Sequence, residues 1–506
     1  MSKPPDDRDN SPKGRCPFRL ERCGDLTPLR DALKSAGYDQ SSLGGTVKLD
    51  DSSESLDVPA LVLRTAERSP YHTLVRLFVL ALSVPEQAAR DALAPIRLES
   101  LVELGLLQVV AEQVHATAAL FPYEDLLLAR DFWPQVAGGT ALPDYVPGVG
   151  PSSLALANLT VRKDVASALD LGTGSGVQAL WAAQHADHVI GTDTNCRALS
   201  FAALNARLNG RSNIEVRHGS LLEPVSECQF DLVVANPPYV ISPKARLEYR
   251  DSGMEGDAVC ERVIRGIPAL LREGGYGTVI FNWHHQTTQD WAERPSQWLQ
   301  SSGCDAWLMC SNTSDPIAYA SDWLRRGQPH APDRYPVLLD EWLAYYRELG
   351  IGMISWGAVI LRPRAAQRNW LRAEKALSGR PTGSCSDQIQ RVFAAEDLLD
   401  GLNDDRRLLE LAFQLTPDHQ LEHVLHAEDD AWTVHTARLS QTRGFGFVGQ
   451  VDPLASKVLA GCNGRRRLGE LVAELTEVSG LDFDQVTSAC VTVIRNLLRS
   501  GFLVQL

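Results

Sequence analysis

Two short stretches carry residue types whose spacing suits chemistry. The first, Ala168-Leu-Asp-Leu-Gly-Thr-Gly-Ser-Gly-Val-Gln178, reads as a strand, a glycine-rich turn and a helix. Gly172, Gly174 and Gly176 allow a tight turn and let the backbone lie against a ligand with no Cβ between. The helix opening near Val177 would turn its first N–H groups toward that ligand and favour an anionic group such as a carboxylate. The spacing is Gly-x-Gly-x-Gly, not the Gly-x-Gly-x-x-Gly of dinucleotide turns. Asp170 stands two places before the first glycine. Asp193 ends the next strand-like run, Val189-Ile-Gly-Thr-Asp193, where a carboxylate can take both hydroxyls of a ribose. Together these features favour S-adenosylmethionine over a nicotinamide dinucleotide or a purely structural turn.

The second stretch, Asp231-Leu-Val-Val-Ala-Asn-Pro-Pro-Tyr239, is an apolar strand ending in Asn236. Ligands of parallel sheets bind beyond the carboxyl ends of the strands. Two prolines stiffen the loop and remove two N–H donors, leaving carbonyls free as acceptors. The Asn236 amide oxygen and the Pro237 carbonyl can each accept one hydrogen of a planar –NH2 group. That would aim the nitrogen at a methyl group, with Tyr239 as a flat face for stacking.

These two stretches need a scaffold. The chain has 506 residues, 49 basic and 63 acidic side chains, and a net charge of −14. At roughly 100–200 residues per domain the length suggests about three domains. The apolar share of 44% with 22% charged is that of a folded chain. No apolar run is long enough for a membrane span, and the polar, proline-rich start has no signal-like core, so a cytoplasmic location is expected. The acidic balance argues against gripping a long stretch of nucleic acid. The ten cysteines are scattered; the pairs Cys16/Cys23 and Cys304/Cys310 lack Cys-x-x-Cys spacing, so reduced thiols and no metal site are expected.

Residues 1–24 read as a disordered leader and 25–120 as a helical, winged-helix-like domain, with helical patterns at Tyr71–Ala81 and Leu98–Leu104, a stop at Gly105 and a strand at Leu106–Val110. From 121 to 363, strand-like runs at Ala166–Leu171, His188–Thr192, Ile214–Val216, Phe230–Ala235, Tyr276–Phe281 and Ser355–Leu361 are mostly separated by helical patterns. This alternation predicts a parallel sheet in a three-layer α/β fold. Residues 364–388 read as a polar linker and 389–506 as a second helical, winged-helix-like domain with helices at Leu454–Leu459, Gly469–Val478 and Gln485–Arg499. Leu101-x-x-x-Gly105-Leu-Leu107 and Leu497-x-x-x-Gly501-Phe-Leu503 suggest the same helix-to-strand device near both ends.

The Gly-x-Gly-x-Gly turn followed by Asn-Pro-Pro-Tyr resembles the class I S-adenosylmethionine-dependent methyltransferases. Within them it is similar to the Asn-Pro-Pro-Tyr branch of release-factor glutamine and nucleic-acid base methyltransferases. Leu142-Pro-Asp-Tyr-Val-Pro-Gly-Val-Gly150 looks like the segment lying over the cofactor in the glutamine-modifying relatives. The three-part layout resembles a methyltransferase group of actinobacterial type. The resemblance implies a Rossmann-like sheet flanked by mainly helical terminal domains. It also implies that Asp170, Gly172, Gly174 and Gly176 bind the methionine part of the cofactor, that Asp193 binds the ribose, and that Asn236, Pro237 and Tyr239 orient the acceptor nitrogen.

The chain departs from that pattern twice. Arg217-His-Gly-Ser-Leu-Leu-Glu223 lacks the acid that often accepts from adenine, so Ser220 is the substitute. Phe281-Asn-Trp-His-His285 replaces an acidic strand end, and its histidines fit a loop or pocket lining better than a metal site. Three acceptors stay open. The favoured one is a glutamine or other side-chain nitrogen of a protein or peptide. The others are a nucleic-acid base, hinted at by Gly464-Arg-Arg-Arg-Leu468, and a small metabolite.

Overall fold

The computed structural model describes residues 17–22, 24–47, 57–67, 69–139, 141–327, 332–375, 382–402, 404–428 and 431–505. They form two compact units. One holds the described residues up to 156 together with 164–375; the other holds 157–163 with the described residues beyond 381.

The first unit is built on eight strands: β1 (Val165–Leu171), β2 (Ala186–Asp193), β3 (Ile214–His218), β4 (Phe230–Ala235), β5 (Leu271–His285), β6 (Cys304–Ser314), β7 (Met353–Pro363) and β8 (Leu371–Lys375). Their order across the sheet is β8-β6-β7-β5-β4-β1-β2-β3. β1 to β5 run parallel, and β7 is antiparallel to both β5 and β6. Helices cover the sheet, so a central strand such as β4 is apolar almost throughout and buried along most of its length. The order reverses between β1 and β4, and both chemical stretches leave the sheet there, which is the switch point where such folds place ligands.

Sequence periodicity placed the strand cores from β1 to β5, and β7, but not β6, whose buried run Cys304-Asp-Ala-Trp-Leu-Met-Cys310 reads equally well as helix. Between β6 and β7 lie two helices, Pro316–Gly327 and Tyr335–Glu348. They close their own aromatic core around Tyr319, Trp342 and Tyr346. The expected linker is partly structured: β8 extends the sheet beside β6, and a helix starts at Ser386.

Ahead of the sheet, three helices (Pro70–Phe78, Glu86–Leu93, Leu98–Leu104) follow one another with strands at Val84–Pro85, Leu107–Val110 and Gln113–Ala116. Gly105 takes φ +90 and ends the third helix. The core of this module continues into helix Cys196–Leu208 of the sheet layer, where Phe201, Leu204 and Leu208 are buried with Leu77 and Phe78. Most of the expected leader, with Cys16 and Cys23, lies outside the described residues. Its described part is packed: Phe18 is buried edge-on against Phe201 at 5.0 Å.

In the second unit, helix Pro453–Gly461, strand Asn463–Arg467, helices Leu468–Ser479 and Phe483–Arg499 and strand Leu503–Gln505 repeat that succession. Gly501, with φ +70, ends the long helix. The middle strand of its small sheet is Ala412–Leu415, which arrives from upstream and pairs antiparallel with both outer strands. Arg465 to Arg467 therefore lie on an edge strand, and Arg466 pairs with Glu474 at 2.6 Å.

Candidate active site

The glycine turn is pinned from two sides. Gly172 and Thr173 donate backbone N–H bonds to the Thr192 carbonyl at 2.9 and 2.8 Å. Asp170, buried beneath the turn, accepts from the Thr173 hydroxyl (2.7 Å) and the Ala179 N–H (3.0 Å) through Oδ2. Burial pushes the Asp170 carboxyl up to about 7 against those two bonds. Ala179 lies in the first turn of helix Val177–Ala182, so an amide expected to face a ligand is spent on Asp170.

The three glycines divide in role. All take positive φ: +76 at Gly172, +55 at Gly174 and +82 at Gly176. A Cβ on Gly172 would find only the Asn236 carbonyl, at 4.0 Å, and one on Gly174 would meet nothing, so both open onto the cavity. At Gly176 a Cβ would lie 2.9 Å from the Ala202 Cα of helix Cys196–Leu208. Gly176 thus lets the turn pack closely on that helix, and it does not border the cavity. Gly176→Ala is expected to cost about 2 kcal/mol or more through left-handed strain and this overlap, measured as a lower urea midpoint of the ligand-free protein.

Asp193 closes β2 at the cavity edge. Its Oδ2 accepts from the Gly174 N–H and its Oδ1 from the Asn195 N–H, both at 2.9 Å. Burial raises its pKa against these backbone bonds. Each oxygen keeps a lone pair for a further hydroxyl. Ser220 lies on the same cavity, exposed, beside Gly219 and Leu221.

Asn236 leaves the end of β4 with its Nδ2 donating to the Ser152 hydroxyl at 3.3 Å. A hydroxyl can donate as well as accept, so this contact holds the amide group beside Ser152 at the end of β4. Ser152 was not singled out in the sequence; it stands two places beyond the Leu142–Gly150 segment, at the start of helix Pro151–Leu159. Pro237 and Tyr239 line the same cavity. The Tyr239 ring is set edge-to-face on Trp323 of the inserted helix at 6.4 Å, and burial raises its phenol. Trp323 was likewise missed, because its helix is remote in sequence.

The cavity encloses about 1220 Å³ and is bordered by the glycine turn, Asp193, Ser220, Asn236, Tyr239 and Trp323. Small-ligand pockets are typically about 300–1,000 Å³, so there is room for a cofactor with an acceptor group beside it. The open backbone at Gly172 and Gly174 and the two accepting oxygens of Asp193 fit the amino-acid end and the ribose of S-adenosylmethionine. His284 and His285 do not border the cavity: His284 lies 3.6 Å from Asp257, and His285 bonds Ser355 at 3.1 Å. No group of three or more metal-ligating side chains occurs among the described residues.

Residues 150–294 match the methyltransferase small domain family. The middle of this chain is a class I methyltransferase domain. Residues 55–117 and 390–505 match two domain families of unknown function, DUF7059 and DUF7782. A release factor glutamine methyltransferase of Xylella fastidiosa is 35% identical over 126 residues, 22% of this chain and 46% of that protein. A ribosomal protein uL3 glutamine methyltransferase of Bradyrhizobium diazoefficiens is 30% identical over 177 residues, 32% of this chain and 54% of that protein. The chain thus spans about half the length of these curated relatives. Among solved structures, the ribosomal protein L11 methylase of Lactobacillus delbrueckii subsp. bulgaricus is 21% identical, covering 42% of this chain and 77% of that one, with a TM-score of 0.24. No helix among the described residues is long and apolar enough to cross a membrane.

Proposed function

We propose that this chain transfers a methyl group from S-adenosylmethionine to a planar nitrogen of a protein or peptide, foremost a glutamine side chain, in the cytoplasm. The observation carrying this reading is that the Asn236 amide, held beside Ser152, lines one cavity with the glycine turn. The relatives that modify glutamine favour the amide acceptor over a base or a metabolite.

The bound cofactor supplies an electrophilic methyl group. Asp193 holds the ribose, and Gly172 and Gly174 let the backbone lie against the methionine part. Asn236 Oδ1 and the Pro237 carbonyl each accept one acceptor N–H and hold the nitrogen in line. Such positioning can contribute about 7–11 kcal/mol to lowering the barrier. As the nitrogen becomes positive, the same two oxygens stabilise the charge. No base need act first, because the surplus proton can leave after transfer. We read segments 25–120 and 389–506 as winged-helix-like modules flanking the methyltransferase domain of 121–363.

The test supplies methyl-labelled cofactor and this protein to an extract of source cells lacking the gene. Protease-sensitive label in large material, absent with Asn236→Ala, is expected. Nuclease-sensitive label would replace the acceptor with a base, and label confined to small molecules would replace it with a metabolite.

A further inference from the structure

Arg130 is a buried cation in the wall of the cavity, with the Tyr145 hydroxyl as a hydrogen-bond partner for part of its guanidinium. It ends strand Leu126–Arg130, is 7% exposed, and its buried Nη2 has no hydrogen-bond partner in the structure. The guanidinium carbon lies over two rings, 3.7 Å from the Trp133 ring centroid and 5.0 Å from that of Phe121. The adjacent acid, Asp131, attracts it but spends its hydrogen bonds elsewhere, both its oxygens accepting from Arg197 Nε at 3.2 and 3.1 Å. A buried, preorganised cation with a free N–H is a site for an anion.

Its place in the fold selects the anion. Ala129, one residue back, exchanges two bonds with the Asn205 side chain (2.6 and 2.9 Å), and Asn205 Nδ2 also donates to the Ser175 carbonyl inside the glycine turn at 2.7 Å. One side chain thereby ties the end of the Arg130 strand to the turn expected to meet the methionine part. Gly148 lets the segment over the cavity cross Arg130, since a Cβ there would lie 2.5 Å from Arg130 Cδ. The Ala179 amide is already committed to Asp170, so that N–H of the short helix is not free for a carboxylate.

We propose that Arg130 binds the carboxylate of the methionine part of S-adenosylmethionine; this rests on the methyltransferase reading above. The test is calorimetric binding of S-adenosylhomocysteine and of S-adenosyl-3-thiopropylamine, which is the same molecule without the carboxylate. Both are titrated into wild type, Arg130→Met and Arg130→Lys. Wild type should prefer the carboxylate ligand by about 10- to 100-fold, the range expected of a charged hydrogen bond. Arg130→Met should lose that preference while binding the thiopropylamine like wild type, and Arg130→Lys should recover part of it. The wild-type comparison needs no variant to fold. Equal weakening of both ligands by Arg130→Met, or no weakening, would overturn the assignment and leave the cofactor reading standing; the latter result would send the anion to an acidic acceptor. Binding of neither ligand by wild type would overturn both readings.

Discussion

Asn236→Ala is expected to cut kcat by about 10²–10³-fold, the effect of deleting one preorganised polar contact to a reacting group. Affinity for S-adenosylhomocysteine should stay near the wild-type value. The separation follows from geometry. The Asn236 amide is held beside Ser152, and its oxygen is the atom assigned to the acceptor N–H. The groups assigned to the cofactor, Asp193 and the turn of Gly172 and Gly174, are held by bonds in which the Asn236 side chain takes no part. Single-turnover methyl transfer alongside calorimetric binding checks both halves. A parallel fall in cofactor affinity would mean that this loop belongs to the cofactor site and not to the acceptor.

Asp193→Ala should do the reverse, weakening S-adenosylhomocysteine binding by about 100-fold or more through loss of two charged hydrogen bonds to the ribose. Asp193 also receives the N–H groups of Gly174 and Asn195, so the variant loosens the turn as well as removing ligand contacts. Asp193→Asn should fall between, because one amide atom must then face one of those N–H groups as a donor. Ligand-free thermal unfolding separates loss of binding from loss of fold. Undiminished affinity in the alanine variant would remove the ribose role.

Much of this site was legible because its parts are contiguous. A strand, a glycine turn and a helix fall within Ala168–Gln178, and a strand with its loop within Asp231–Tyr239, so local chemistry suggested their roles. What escaped depends on contacts between distant segments. Ser152, Trp323 and Arg130 carry no pattern of their own and gain meaning only from Asn236, Tyr239 and the tie through Asn205. The packing demand on Gly176 was hidden for the same reason: the motif groups three glycines, and only the nearness of Ala202 sets this one apart. The strand Cys304–Ser314 was hidden because, with both faces buried, it lacks the alternation that marks a half-exposed strand.

The two terminal modules share a succession of helices and strands but not the source of their middle strand. In the first, Gln113–Ala116 follows its neighbour Leu107–Val110 through a tight hairpin. In the second, Phe413 must wait for Gln505. The cost in free energy of closing so long a loop grows only slowly with its length. The difference lies in timing, since folding slows as contacts become less local. During synthesis the first small sheet can form soon after its hairpin emerges, whereas the second lacks one outer strand until Gln505 has been made.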